Sequence, residues 1–176
     1  NKFYNHTNEN AEDFKIDTSE SLKKTNWKKF IPAKNEVLIG GCTFLNNWII
    51  RAENSNALSK LFVRNINTGV EEELIFSDEK VYDPGVSLAK RDRNTDKIYL
   101  GYSSPKTQSR VYSYNLKTKN KTLVKEQEIP SGHNPKDYIV ERLESRSKDG
   151  RLVPLTIIRH KKTKLDGKAN LLLYGY

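Results

Sequence analysis

Sliding the chain against itself by about 50 residues brings two stretches of its middle into register. Trp48-Ile49-Ile50 falls on Ile98-Tyr99-Leu100, Ser59-Lys60-Leu61-Phe62 on Ser109-Arg110-Val111-Tyr112, and Asn65-Ile66-Asn67-Thr68 on Asn115-Leu116-Lys117-Thr118. Inside each unit the apolar residues recur at every second position. Ile98, Leu100 and Tyr102 share one face, and Tyr112, Tyr114 and Leu116 share another; that is strand spacing, not helical spacing. Trp48, Ile50 and Ala52 likewise alternate with Ile49, Arg51 and Glu53. The segments are rich in β-branched and aromatic residues, which suit a pleated, half-buried surface. Turn signals such as Asn67-Thr68-Gly69, Asp83-Pro84-Gly85 and Asn94-Thr95-Asp96 separate them. The repeat predicts strands over 38–45, 47–54, 59–66 and 70–76, then over 84–90, 97–103, 109–116 and 121–128. A four-stranded unit of about 40–50 residues is the size of a β-propeller blade. Residues 1–31 read as the remainder of an earlier unit, with strands near 2–7, 13–17 and 27–31. The competing architecture is a β-sandwich whose halves resemble each other by chance.

The pattern changes near Gly132-His133-Asn134-Pro135. Tyr138–Ser145 and Arg151–Arg159 flank Ser147-Lys148-Asp149-Gly150, and Asp-Gly is a strong hairpin signal. Pro154 inside the second of these strands restricts it to a sheet edge or to a position without a ladder bond. After the basic loop His160–Lys168 comes Leu171-Leu172-Leu173-Tyr174, an apolar run of the kind found in strands buried on both faces.

Composition narrows the function classes. Lys plus Arg is 31 against 22 for Asp plus Glu, a formal charge of +9 over 176 residues. That balance permits attraction to nucleic acid or an anionic membrane and says nothing about fold. The basic runs Lys23-Lys24, Lys28-Lys29 and His160-Lys161-Lys162-Thr163-Lys164 carry no interleaved aromatic platform, so a nucleic-acid surface is not expected. No apolar run approaches the ~18 residues of a membrane span, and Asn1-Lys2-Phe3-Tyr4-Asn5 lacks a signal-peptide core. One Cys excludes a disulfide framework within the chain, and three His with one Cys leave little for a structural zinc site. The chain reads as soluble and cytoplasmic, with no cofactor or metal. Met is absent even at position 1, which reads as a piece of a longer protein or a processed product.

Catalytic motifs are missing. The nine glycines lie at 40, 41, 69, 85, 101, 132, 150, 167 and 175. No Gly-x-Ser-x-Gly nucleophile elbow, P-loop or dinucleotide fingerprint can be built from those spacings. Cys42 reads as a small buried hydrophobe, His6, His133 and His160 as solvated loop histidines, and Glu71-Glu72-Glu73 as a solvated strand edge.

Several stretches together resemble one family. Asp149-Gly150, Val153-Pro154-Leu155, Asp166-Gly167 and the terminal Leu171-Leu172-Leu173-Tyr174-Gly175-Tyr176 are similar to the start of the catalytic domain in serine peptidases of the prolyl oligopeptidase family. Tyr138-Ile139-Val140-Glu141-Arg142, Asn26-Trp27 with Ile31-Pro32, and Val111-Tyr112 leading to Lys125-Glu126-Gln127-Glu128-Ile129-Pro130 are closer to its oligopeptidase B (protease II) branch. The resemblance implies a mainly β chain: two to three C-terminal blades of a β-propeller over 1–134, then the first strands of an α/β-hydrolase domain over 135–176. It also implies short peptide substrates cut after basic residues, a propeller that filters them by size, and the remaining catalytic segment as partner. The family's catalytic Ser, Asp and His lie beyond this chain. One functional position maps: the second Tyr of the family's Tyr-Gly-Tyr, a donor to the oxyanion, falls on Tyr176. The chain alone is therefore expected to be inactive, and with uncovered blade faces to associate or to be marginally stable. A non-catalytic propeller-like binding module is the alternative.

Overall fold

The computed structural model describes residues 2–23, 26–88 and 92–175. They form thirteen strands in three stacked sheets and a hairpin, with no α-helix among the described residues. The first sheet joins β1 (Phe3–Thr7), β2 (Lys15–Ser19) and β3 (Lys28–Ile31) in sequence order. The second is β4 (Val37–Phe44), β5 (Trp48–Ser55), β6 (Leu58–Asn65) and β7 (Glu71–Glu73), and the third is β8 (Asp83–Ser87), β9 (Lys97–Ser103), β10 (Arg110–Asn115) and β11 (Lys121–Glu126). Every neighbouring pair is antiparallel. These are the strands the repeat predicts, with β7 shorter than expected; residues 89 and 90 of the predicted 84–90 lie outside the described residues.

The repeat extends to the turns. After β6, Asn65 accepts through Oδ1 from the amides of Asn67 and Thr68 at 2.9 and 3.1 Å, and its carbonyl accepts from Gly69 at 2.9 Å. After β10, Asn115 does the same with Lys117 and Thr118 at 3.0 and 2.9 Å, and with Lys119 at 2.7 Å. An Asn side chain that caps its own turn explains the Asn-x-x-Thr spacing in both units. The last turn residue is left-handed in each, with φ 74° at Gly69 and 61° at Lys119. Only the first copy has the residue that adopts this backbone without a Cβ penalty.

The second and third sheets meet through one apolar core. Ile50, Leu61, Val63, Leu74 and Phe76 from one side pack with Ile98, Leu100, Tyr102, Tyr114 and Leu116 from the other. Ile98 and Leu100 are completely buried. Each sheet is a sequential meander, and the second is covered by the third on one side and by the first on the other; a stack of three sheets suits a partial β-propeller, whereas a sandwich has two. Polar ties bind the edges. Trp48 donates from Nε1 to Asp96 at 2.7 Å, and Lys121 donates from Nζ to the Phe76 carbonyl at 2.5 Å.

The other face of the second sheet is charged. Arg51 and Glu53, two apart on β5, point away from that core toward the first sheet, and are 2% and 5% exposed. Arg51 donates to Glu53 at 2.7 Å and to Glu71 at 2.8 Å, and Lys34 donates to Glu53 at 2.7 Å. The Phe62 ring lies about 5 Å from both cations, and Arg64 covers Phe30 of β3. Burial alone would lower the Arg51 pKa, but hydrogen bonds to Glu71 and Glu53 outweigh it and raise the group above its ordinary value. Glu71–Glu73 form the exposed edge strand that the sequence suggests, and there the hydrogen bond from Arg51 holds the Glu71 carboxyl below its ordinary range. Nearer the middle of the seam, Ile16 and Ile31 of the first sheet pack on Ile39 of β4. There Gly40 sits so close to Ala52 that a Cβ would lie 3.0 Å from its carbonyl oxygen. The ladder slips between Ile39 and Cys42, making a bulge.

Beyond a 3₁₀ turn at Pro135–Asp137, β12 (Tyr138–Arg146) and β13 (Leu152–His160) form the expected hairpin. Pro154, on β13, faces Glu144 of β12, and β13 has only β12 beside it, as a missing amide donor requires. The expected buried strand at Leu171–Tyr174 is not formed. Residues 171–175 carry no strand, and Leu171, Leu172 and Leu173 are 84, 89 and 81% exposed. A doubly buried strand needs partners on both edges and cover on both faces, and no described strand pairs with this run.

Two outcomes follow from the turns and the charged seam. Gly69→Ala puts a Cβ at φ 74° and should lower the unfolding free energy by about 1–2 kcal/mol, read by denaturant titration; an unchanged midpoint would contradict the turn geometry. For Glu71, the depressed folded pKa means its contribution is complete above the unfolded carboxylate value, about 4.3, and is lost as pH falls through the folded value. Stability of Glu71→Gln should therefore decline less steeply with acid below about pH 4.3 than that of the parent chain. Parallel curves would show that Glu71 is not held by Arg51.

Candidate functional site

Strand direction gathers one set of connections at one end of the stack. The registers place residues 8–14, 32–36, 56–57, 74–82, 104–109 and 127–137 at this end. The hairpin approaches the same end. Arg142 of β12 donates from Nη2 to the carbonyl of Asn56 in the β5–β6 turn, and from Nη1 to Thr156 Oγ1 of β13 at 2.9 Å. His133 Nε2 is 2.7 Å from the carbonyl of Lys106 in the β9–β10 connection. Because a carbonyl only accepts, this ring nitrogen carries the proton.

Two clusters organise the end. Glu79 receives the hydroxyls of Ser104 and Thr107, each at 2.6 Å, tying the connection after β7 to the one after β9. Burial would raise the Glu79 pKa, but the hydroxyls of Ser104, Thr107 and Tyr102, with the Lys106 charge, together outweigh it and keep the carboxyl below its ordinary range. Ser77 donates to Tyr102 Oη at 3.1 Å, and burial pushes that phenol's pKa upward. The second cluster lies at the start of the hairpin. Tyr138 stacks on His133 at 5.2 Å and meets His160 edge-on at 5.7 Å. Lys161 pairs with Asp137 at 2.6 Å, and that hydrogen bond lowers the Asp137 pKa. Beside Glu79 a cavity of about 610 Å³ opens between the second and third sheets, with Phe76, Tyr102, Tyr112 and Tyr114 in its wall.

The residues singled out in the sequence separate clearly. Tyr176 and Lys24 lie outside the described residues. Cys42 is half-buried, and burial pushes its thiol up to about 11, so it is a packing group with no thiolate character. The loop reading of the histidines holds in part: His133 lies in a connection, whereas His6 is an exposed residue of β1 and His160 ends β13. His6 bonds the Ile39 carbonyl at 2.7 Å and stacks on Phe14, His133 is anchored as above, and His160 accepts the Lys162 amide at 3.1 Å. Their neighbours in sequence are polar, but for the first two the chain folds back to bring a carbonyl from 33 and 27 residues away. Among the described residues no histidine hydrogen-bonds a serine or cysteine, and no three His, Cys, Asp or Glu side chains converge as metal ligands. Sequence reasoning missed Arg51 and Glu53. Their signal was two opposite charges on one face of a strand whose two faces both look toward neighbouring sheets.

Known proteins share this arrangement. Residues 1–127 match the family described as Prolyl oligopeptidase, N-terminal beta-propeller domain. Dipeptidyl aminopeptidase BI of Pseudoxanthomonas mexicana is 31% identical over 169 residues, which is 94% of this chain and 23% of that protein. Oligopeptidase B from Trypanosoma brucei, solved in a closed form with covalently bound antipain, superposes with a TM-score of 0.82 at 20% identity, over 93% of this chain and 24% of that one. Prolyl oligopeptidase B from Galerina marginata, solved with a 35-residue hydrolysis and macrocyclization substrate, superposes at 0.77 and 22% identity, over 94% and 23%. The chain thus spans about a quarter of the length of the relatives it matches. With its four-stranded sheets stacked face to face and its first 127 residues matching that domain throughout, the chain belongs to the prolyl oligopeptidase family.

Proposed function

We propose that this chain is the last part of the propeller, with the first part of the catalytic domain, of a serine oligopeptidase that cleaves short peptides after basic residues. The observation that carries the reading is the change of architecture within one chain. Two complete blades end at β11, and the hairpin that follows pairs only within itself instead of starting a further blade, with Arg142 reaching the Asn56 carbonyl of the β5–β6 turn. A propeller standing over a catalytic domain limits substrates to those that fit between the two. The domain boundary on this reading lies at 134/135. Preference for basic residues rests on the oligopeptidase B-like stretch Tyr138–Arg142 and on Lys125–Pro130.

Tyr176 is the one residue of the reacting centre that this chain supplies. A phenol at the end of a buried strand is a rigid donor aimed where charge develops on the carbonyl oxygen, and losing such a donor costs about 10²–10³ in rate. The exposed Leu171–Leu173 run becomes that buried strand when the rest of the sheet stands on either side of it. Activation of a serine needs a histidine within hydrogen-bond reach, and the described residues offer no such pair.

A second reading follows from the relative at 31% identity, whose name is dipeptidyl aminopeptidase: release of dipeptides from a free N-terminus. Paired chromogenic substrates with Arg or Lys before the scissile bond, one N-acylated and one with a free amine, separate the two. Cleavage of both by the full-length protein supports the oligopeptidase, cleavage of the free amine alone supports the second reading, and no cleavage of either supports a binding module. The 176-residue chain alone should hydrolyse neither. In the full-length protein Tyr176→Phe should lower kcat by about 10²–10³ with little change in KM, because the hydroxyl acts mainly in the transition state. A rise in KM at constant kcat would remove Tyr176 from the oxyanion site.

A further inference from the structure

The turn between β5 and β6 is built at a conformational cost. Both of its central residues are left-handed, Asn56 at φ 50° and Ala57 at φ 52°. A two-residue turn of this hand favours Gly at its second position, and Ala there carries a Cβ penalty. The Asn56 carbonyl is the group that Arg142 grips, across 86 residues of sequence. Arg142 is itself held from behind, since its second terminal nitrogen bonds Thr156 on the neighbouring hairpin strand. Its Nε–H is buried and has no acceptor among the described residues. A guanidinium would not keep a desolvated donor of this kind on a freely solvated strand, where rotation would return it to water. It stays because the other two nitrogens are occupied, one by each side of the junction. His133 makes a second tie, to the Lys106 carbonyl in the equivalent connection of the next sheet. The hairpin and the segment that leads into it therefore touch corresponding connections of two successive sheets, through Arg142 and His133 respectively.

We infer that Arg142 is a positioning residue, a latch that holds the β12–β13 hairpin against the connection end of the propeller through the Asn56 carbonyl. The side chain acts across the junction and touches no substrate. The latch itself stands on the contacts alone, while its consequence for catalysis rests on the peptidase reading. Under that reading it sets how far the gap between propeller and catalytic domain opens, and so how long a peptide is admitted.

Hydrogen exchange on the full-length protein tests the latch without any activity. In Arg142→Ala the amides of 55–58 and of β12 should lose about tenfold in protection, the size of one charge-assisted hydrogen bond, while β9 and β10 keep theirs. Arg142→Lys, a point charge that cannot bridge both acceptors, should match it. Thr156→Val, which leaves Arg142 in place, should show the same change in smaller measure and carries the test if the first variants fold poorly. Unchanged protection at 55–58, or an equal loss in β9 and β10, overturns the latch. If exchange behaves as expected and no variant or parent cleaves peptides, the peptidase reading fails and the latch stands. If the parent is active, Arg142→Ala should raise kcat/KM for long peptides relative to short ones, and an unchanged ratio removes the latch from substrate selection.

Discussion

Burial of one alternating apolar face against another is what the rest of this structure depends on. A strand pair cannot hide its apolar side alone, and each four-stranded meander leaves Ile50, Leu61 and Val63, or Ile98, Leu100 and Tyr102, facing outward until the two come together. At about 25 cal/mol per Å² of apolar area removed from water, that contact is the largest favourable term holding the second and third sheets in place. Everything at the connection end follows from it. Glu79 meets Ser104 and Thr107, and Lys121 reaches the Phe76 carbonyl, only because the stacking has set the distance between neighbouring meanders.

The seam toward the first sheet is made differently. Arg51, Glu53, Glu71 and Lys34 are neutralised by one another, with Phe62 as a floor under the cations. Buried ion pairs return little net stability once desolvation is counted, but removing one partner strands the other. The network therefore specifies how the sheets meet more than it glues them. A neighbour offering an apolar face to Arg51 would leave the charges without their lysine. The wrong pairing of sheets is disfavoured by that mismatch.

Much of the architecture was legible in the residues. Period-two alternation locates Lys97–Ser103 and Arg110–Asn115 because Ile98, Leu100, Tyr102, Tyr112 and Tyr114 face a single core, and Asn65 and Asn115 mark equivalent turns because the same side-chain cap closes both. Legibility stops where a residue's partner is distant. Nothing local to His133 announces the Lys106 carbonyl, and nothing near Arg142 announces a turn 86 residues earlier. Arg51 was placed on the correct strand, yet its burial depended on Lys34 and Glu71 arriving from two other segments. The run at Leu171–Leu173 shows the opposite case. Its composition describes the surroundings it would need, and the described residues do not provide them.

The two seams also differ in how they respond to temperature. Apolar association weakens on cooling because its driving force is the entropy of hydration water, whereas desolvation of charged groups becomes less costly on heating. The joint between the second and third sheets is thus the one that loses strength in the cold, and the joint through Arg51 is the one that heat relatively favours. A stack assembled from both kinds of contact has no single weakest joint. Which sheet would part from its neighbour first depends on the temperature at which it is asked to part.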